Sequence, residues 1–351
     1  MPSLSDFDVA PLGNLFCQWG HPSSHAKKLL RAYYDAFGEP DLDGIELGNA
    51  LRERVRRELP LTRSRVITTR HAADGTLKLL VGLADGGAVE SVLMPGYRAD
   101  RAAGCVSSQV GCAMGCDFCA STRSGLERNL GAGEIVEQFL HLRRAAAQMG
   151  RRLASLVLMG MGEPMHNLDN VLVAVVRICA AETGALGWRQ VTVSTVGVVP
   201  GIDRLAESGL NVNLAVSLHA PDDETRSRIV PSNRRYPVAE VMDATRRHAA
   251  RTGRVPTIEY CMLAGINDSD EQAHLLAELL SGLRAHVNLI PYNPIGPGVS
   301  GRTYYRPPQE RLSAFIDVLR TRGVVAHFRD RRGDDVNAAC GQLREMSAVS
   351  Q

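Results

Sequence analysis

Apolar residues recur at three-to-four spacing over residues 26–37 and 47–59, which predicts two helices separated by the Gly38-Glu39-Pro40 breaker. Three strand-like runs follow at 65–69, 77–83 and 89–94, and the turns between them contain Asp74-Gly75 and Asp85-Gly86-Gly87. Short turns of this chemistry between strands predict an antiparallel meander. A small α+β unit is therefore expected at the start of the chain.

From about residue 103 the rhythm changes. Short apolar runs at 105–110, 153–160, 190–194, 212–217, 257–262 and 286–291 alternate with amphipathic stretches such as 133–149, 168–181, 238–251 and 270–283. Repeated βα units imply parallel strands joined by right-handed crossovers. Six units are too few to close an eight-fold barrel. The expected fold class is α/β: a partial (β/α)6 barrel preceded by a small N-terminal α+β accessory domain. The expected division is 1–95 for the accessory domain, 96–325 for the barrel and 326–351 for a C-terminal tail. Loops at the C-terminal ends of the strands are then the place to look for chemistry.

With 351 residues, 44% of them hydrophobic, the chain can bury a large core. It has no apolar run long enough to span a membrane, and residues 1–10 are acidic without a hydrophobic signal core, so a cytoplasmic protein is expected. The net charge of +2 announces no nucleic-acid partner by itself. Lys27, Lys28 and Lys78 are the only lysines among forty basic residues, and the arginines cluster at 52–57, 226–235 and 329–332. Guanidinium forks suit phosphates, although solvated helix faces explain any one cluster equally well.

Cysteine usage changes the picture. Cys112, Cys116 and Cys119 crowd into one glycine-containing loop with C-x3-C-x2-C spacing, right after the first apolar run of the barrel pattern. A secreted disulfide framework is not the natural reading of such crowding in a long chain, and Cys17, Cys179 and Cys261 read as small hydrophobes. Three thiolates can hold three irons of a [4Fe–4S] cluster and leave the fourth open to a substrate. The motif resembles that of radical S-adenosylmethionine (SAM) enzymes. A three-thiolate zinc site completed by a distant histidine is the competing reading, but the cysteines are not paired as zinc knuckles and no histidine stands at the matching spacing. Other strand ends carry polar groups that a core strand does not need: Gly162 and Glu163 after the second run, Ser194 and Thr195 after the third, Ser217-Leu218-His219 after the fourth and Asn293 after the sixth. Singly these are turn residues. Together around the cysteine loop they outline a SAM pocket.

The segments 105–112, Met161-Gly162-Glu163-Pro164, 194–200, 217–221 and 338–343 in combination resemble the RlmN/Cfr family of radical SAM RNA methyltransferases from about residue 60 onward. The resemblance implies Cys112, Cys116 and Cys119 as cluster ligands, and Gly162, Glu163, Ser194, Ser217, Leu218, His219 and Asn293 as SAM contacts. It implies Cys340 as the thiol that carries a methyl group, Cys105 as its resolving partner and Glu90 as the proton acceptor. One SAM methylates Cys340, and a second, cleaved by the reduced cluster, yields the radical that activates the methyl carbon for addition to adenine. Cys105 then releases the product through a transient Cys105–Cys340 disulfide. The expected activity is methylation of adenosine C2 in 23S rRNA and in tRNA, by a monomer served by a reducing electron donor. A C8-specific enzyme of the same family is the nearest rival. A radical SAM activase of a partner protein, and an RNA-binding protein with a structural cluster, are rivals from other classes.

Overall fold

The computed structural model describes residues 2–181, 186–329 and 332–343. Arg331 of the last arginine cluster and residues 344–351 of the expected tail lie outside the described residues. Three helices come first: α1 (Val9–Gln18), α2 (Ser24–Asp35) and α3 (Asn49–Glu58). The meander β1 (Arg65–His71), β2 (Leu77–Gly82) and β3 (Ala88–Pro95) follows. The remainder runs β4 (Arg101–Cys105), β5 (Gln109–Gly111), β6 (Leu126–Asn129), α4 (Ala132–Gln148), β7 (Arg152–Leu158) and α5 (Leu168–Cys179). It continues with β8 (Val191–Thr195), α6 (Val199–Glu207), β9 (Asn213–Ser217), α7 (Asp223–Ile229) and α8 (Val238–Thr252). Last come β10 (Thr257–Met262), α9 (Asp270–Leu279), β11 (His286–Pro291), α10 (Gln309–Thr321) and β12 (Val325–Phe328).

One ten-stranded sheet has the order β1-β2-β3-β4-β7-β8-β9-β10-β11-β12. The pairings from β1 to β4 are antiparallel, and those from β4 to β12 are parallel. The expected meander and α/β barrel are both present, joined by hydrogen bonds between β3 and β4. The first barrel strand lies earlier than the apolar run at 105–110 suggests. Its residues Arg-Ala-Ala-Gly-Cys lack the β-branched side chains that mark a strand, whereas β5 turns away to pair with β6. A further parallel strand, β12, extends the sheet, and α1, α6, α7 and α10 are additional to the helices the periodicity names.

The leading helices are fastened to the barrel by buried polar groups. Glu137 on α4 accepts hydrogen bonds from Ser3 Oγ (3.1 Å), Ser5 Oγ (2.7 Å) and the backbone N–H groups of Arg63 (3.1 Å) and Ser64 (2.7 Å). Arg177 on α5 donates to Asp8 and to the carbonyls of Ser5 and Asp6. A continuous apolar core runs beneath, from Leu4, Leu12 and Tyr33 to Ile135, Phe139 and Val171. At the other end of the chain, the tail is gripped by the meander. Ala73 N–H donates to Asp335 Oδ2 (3.0 Å), Gly333 N–H to Asp74 Oδ2 (3.1 Å) and Lys78 Nζ to the Asn337 carbonyl (3.1 Å). Among the described residues no helix is long and apolar enough to cross a membrane.

Candidate active site

The cysteine loop follows β5 and is shaped by one obligatory glycine. Gly111 has φ +73°, and a Cβ there would lie 2.0 Å from the Gly125 carbonyl oxygen. That close approach lets Cys112 N–H donate to the same carbonyl (2.8 Å). Farther along, Asp117 N–H donates to the Ile229 carbonyl (3.0 Å), while the Asp117 carboxylate accepts from Ser300 N–H (2.7 Å) and Tyr304 O–H (2.7 Å). Burial pushes the Cys112 thiol up to about 12 and raises Cys119; Cys116, pressed by both burial and the other two sulfurs, goes well above the usual thiol range. Deprotonating such a trio requires a compensating positive charge, which a bound metal supplies. The three thiols line one cavity. Three thiolates on one loop, facing a cavity with room for a further ligand, are the donor set of a [4Fe–4S] cluster that keeps one iron open.

The cavity brings the cysteines together with Gly162, Glu163, Ser194, Ser217 and His219. Gly162 has φ +100°, and a Cβ there would sit 2.5 Å from Gln109 Cβ, so the backbone between β7 and α5 closes tightly over β5. Glu163 accepts from Met165 N–H (3.0 Å) and Val196 N–H (2.9 Å). Burial outweighs those bonds and pushes its carboxyl up to about 7. Ser194 Oγ donates to the Leu158 carbonyl (2.6 Å), which ties the ends of β7 and β8. His219 sits at φ +62°, its Nδ1 accepting from Cys261 N–H (3.0 Å) and its ring edge-on to Phe118 at 4.8 Å. Burial, aided by the Arg226 charge, drives its pKa down to about 3, so the imidazole is neutral. Leu218 does not line this cavity. Its side chain is fully buried in the core, and its carbonyl accepts from Arg226 Nε (2.9 Å).

A second, smaller chamber adjoins the first and is lined by Cys105, Asn293, Val92 and Met94. Cys340, Arg329, Met159 and Ile290 line both chambers. Cys340 thus stands in the partition, and Asn293, grouped with the SAM contacts by motif, belongs to the second chamber. Its Nδ2 donates to the Cys340 carbonyl (3.5 Å) and its Oδ1 accepts from Arg306 (3.0 Å). Cys105 pairs with Val92 across β3 and β4, and its thiol is pushed up to about 12 by burial first and by Cys340 second, with Arg329 opposing. All eight cysteines carry free thiols, Cys105 and Cys340 included. Glu90 shares the β3 face of Val92 and Met94 by the two-residue repeat. It is buried in an ion pair with Lys78 (2.9 Å).

Four participants escape sequence reasoning. Cys261, read as a small hydrophobe, is buried but lines the first cavity with the cysteine trio. Arg226 is fully buried and donates to the carbonyls of Leu218, Tyr236 and Val196, binding the loops after β8 and β9 together. Lys78 is the partner of Glu90, and Arg329 follows a strand that the pattern does not reveal. Cys261 stands near the end of a strand whose neighbours carry polar groups, and Arg226 and Arg329 open two of the arginine clusters, but none of these local signals names the contact that each residue makes.

Residues 106–277 match the Radical SAM superfamily. Over 343 residues the chain is 54% identical to a probable dual-specificity RNA methyltransferase RlmN of Opitutus terrae, covering 98% of this chain and 97% of that one. The chain belongs to the RlmN family of radical SAM RNA methyltransferases. A second RlmN of that description, from Symbiobacterium thermophilum, is 43% identical over 98% of this chain and 91% of its own. The crystal structure of a radical SAM methyltransferase from Sphaerobacter thermophilus superposes with a TM-score of 0.92 at 44% identity, covering 98% of this chain and 99% of that one. RlmN membership sets aside the activase and the purely structural-cluster readings. The cofactors of its superfamily are a [4Fe–4S] cluster and SAM, and the cysteine trio with its adjoining cavity fits both.

Proposed function

We propose that this RNA methyltransferase methylates adenosine C2 in 23S rRNA and in tRNA by way of a methyl group carried on Cys340. The observation that carries the reading is the position of Cys340 in the partition between two chambers. On one side lie the cysteine trio and the SAM-side residues; on the other lies Cys105. A carrier thiol has to meet a methyl donor first and an acceptor base afterwards, and a side chain open to both chambers does so without a large displacement.

Cys112, Cys116 and Cys119 hold the cluster in this scheme, while the Glu163 carboxylate, Gly162 backbone, Ser194, Ser217 and His219 orient SAM. Bound there, cluster and SAM supply the electron and the organic radical needed to activate a carbon that is not itself nucleophilic. The chain's own residues perform the remaining steps. Cys340 sulfur takes the methyl group and delivers its carbon to the base. Glu90, ion-paired with Lys78, accepts the ring proton. Cys105 attacks Cys340 sulfur; a disulfide forms as the carbon–sulfur bond breaks, and an external reductant restores both thiols. Arg329, whose charge opposes the upward push of burial on the Cys105 thiol, favours the thiolate that makes the second displacement. The accessory unit, residues 1–95, holds RNA, and the enzyme works as a monomer.

The test is to incubate anaerobically reconstituted enzyme with SAM, reductant and unmodified total RNA, and to digest the RNA to nucleosides. 2-Methyladenosine in rRNA and tRNA is expected, together with one added methyl on the tail peptide containing Cys340. 8-Methyladenosine would overturn the C2 assignment, and full activity of Cys340→Ala would overturn the carrier.

A further inference from the structure

The segment from β1 to the β3–β4 turn presents features that methyl transfer leaves unused. All seven residues of β1 are exposed on both faces, and β1 is the open edge of the ten-stranded sheet. Residues 62–73 contain Arg63, Arg65, Arg70 and His71 and no acidic residue. An exposed edge strand ordinarily invites pairing with another chain, and a run of cations on it selects for an anionic partner.

The strand is not remote from the chemistry. The turn after β1 is bonded to the Cys340 tail, with Ala73 N–H donating to the Asp335 carboxylate and Gly333 N–H to the Asp74 carboxylate. Beside this turn lies the β3–β4 hairpin; a Cβ on Gly75 would be 3.3 Å from Pro95. The hairpin is closed by Gly96 N–H to the Arg101 carbonyl (2.8 Å) and Arg101 N–H to the Arg98 carbonyl (2.9 Å). At its tip Tyr97 is 95% exposed, the most exposed of the large hydrophobic side chains among the described residues. Met94, three residues before Tyr97 on the strand that enters this hairpin, lines the second chamber. The hairpin therefore holds a solvent-facing aromatic ring near the second chamber, with Arg98 next to it.

We propose that β1 and the Tyr97–Arg98 hairpin tip form a docking surface for single-stranded RNA flanking the target nucleotide. Phosphates lie along the basic edge strand, and Tyr97 stacks on a base beside the one delivered to the second chamber. An aromatic platform combined with a cationic track is the usual chemistry for holding single strands. Seven extended residues span roughly 23 Å, enough for about three to four phosphates of an extended strand. The inference rests on the RNA-methyltransferase reading and adds to it the location and chemistry of RNA docking.

The test measures binding of the reconstituted holoenzyme to unmodified 23S rRNA transcript across a salt series, with RNA methylation and SAM-dependent methyl loading of Cys340 followed in parallel. Tyr97→Ala should weaken RNA binding by roughly 5- to 100-fold, the range for removal of one stacking platform, while Tyr97→Phe binds as wild type. Arg65→Glu should weaken binding and flatten the salt slope by about 1 to 2, because one phosphate is deprived of its cation and meets a repelling carboxylate. Cys340 methyl loading, which needs no RNA, should be unchanged in all three variants. Wild-type affinity and salt slope in both Tyr97→Ala and Arg65→Glu would overturn the surface while leaving the methyltransferase reading intact. Absence of methylation by the wild-type enzyme would instead overturn the methyltransferase reading. A concentration-dependent dimer that Arg65→Glu dissolves without altering RNA binding would replace RNA with a second copy of the chain as the occupant.

Discussion

The two chambers that meet at Cys340 are built by different means. The first is assembled largely from the ends of successive parallel strands, and most of its walls lie within the 106–277 stretch that matches the wider superfamily. The second is assembled from β3, β4, β11 and the tail, with bonds such as Lys78 to Asn337 joining residues 259 positions apart. The strand-end cavity is thus housed in a repetitive scaffold, and the second chamber in an assembly of distant pieces. The contrast teaches where specialisation enters: at the added meander and tail, leaving the strand-end cavity to its common task.

This division of labour is exposed most severely at the first chamber. Replacing Cys112, Cys116 or Cys119 with alanine should abolish RNA methylation and lower iron from about four per chain, while circular dichroism and the chamber around Cys105 stay as in the wild type. Iron analysis, absorbance in the visible region and nucleoside mass spectrometry read the outcome. A zinc-containing, colourless enzyme with full activity would remove the distinction between the chambers.

The second chamber has its own signature. Cys105→Ala should retain cluster and methylated Cys340 yet accumulate a covalent protein–RNA adduct, visible on denaturing gels and collapsed by RNase to a nucleotide-bearing Cys340 peptide. Adding Cys340→Ala should eliminate the adduct. Normal turnover by Cys105→Ala would mean that the second chamber does not resolve the intermediate.

A smaller, thermodynamic effect is expected at Lys78. Lys78→Met leaves the Glu90 carboxylate without its buried cation, which costs about 3 kcal/mol of stability. Chemical denaturation measures that destabilisation. Iron content should remain normal while methylation slows, because the damage falls on the β3 face that carries Val92 and Met94 of the second chamber. A drop in iron together with stability would show the two chambers to be one cooperative unit.

The mildest effect concerns pH and returns to the first chamber. With its carboxyl pushed up to about 7 by burial, Glu163 is mostly protonated at pH 6 and mostly ionised at pH 8. If its carboxylate meets the ammonium of SAM, affinity should rise by roughly tenfold over that interval, with a proton released on binding. The sign for stability is opposite. A raised carboxyl favours the fold when protonated, so its contribution is complete below the ordinary carboxyl range and lost as pH rises through about 7. Calorimetry in buffers of different ionisation enthalpy separates the two, and Glu163→Gln should flatten both.

The same contrast explains what the sequence could tell. Strands β10 and β11 and the loops carrying Gly162, Ser194 and His219 are legible because a βα repeat announces itself by local alternation and leaves polar residues at its strand ends. The cysteine trio is legible because its spacing is short. Strand β4 is hidden because the Ala-Ala-Gly in its middle lacks strand-forming side chains. Lys78 and Arg329 are hidden for another reason: their roles depend on partners far away in the chain, Glu90 and Asn337 for one, Glu259 and the two thiols for the other. A motif resemblance recovers Cys105 and Cys340 only because they stand inside short distinctive segments.

The bonds from the β1–β2 hairpin to the tail also impose a timetable. In a chain made from its N-terminus at about 5–20 residues per second, roughly 13 to 50 s separate the synthesis of Lys78 from that of Asn337, its partner 259 positions later. Throughout that interval the hairpin exists without the segment that completes the second chamber, and Cys105 has no Cys340 beside it. The loop of the three cysteines waits as well, because Ala120 N–H and Ser121 Oγ donate to the carbonyls of Gly341 and Leu343. Docking of residues 332–343 is therefore the assembly step that closes both chambers at once.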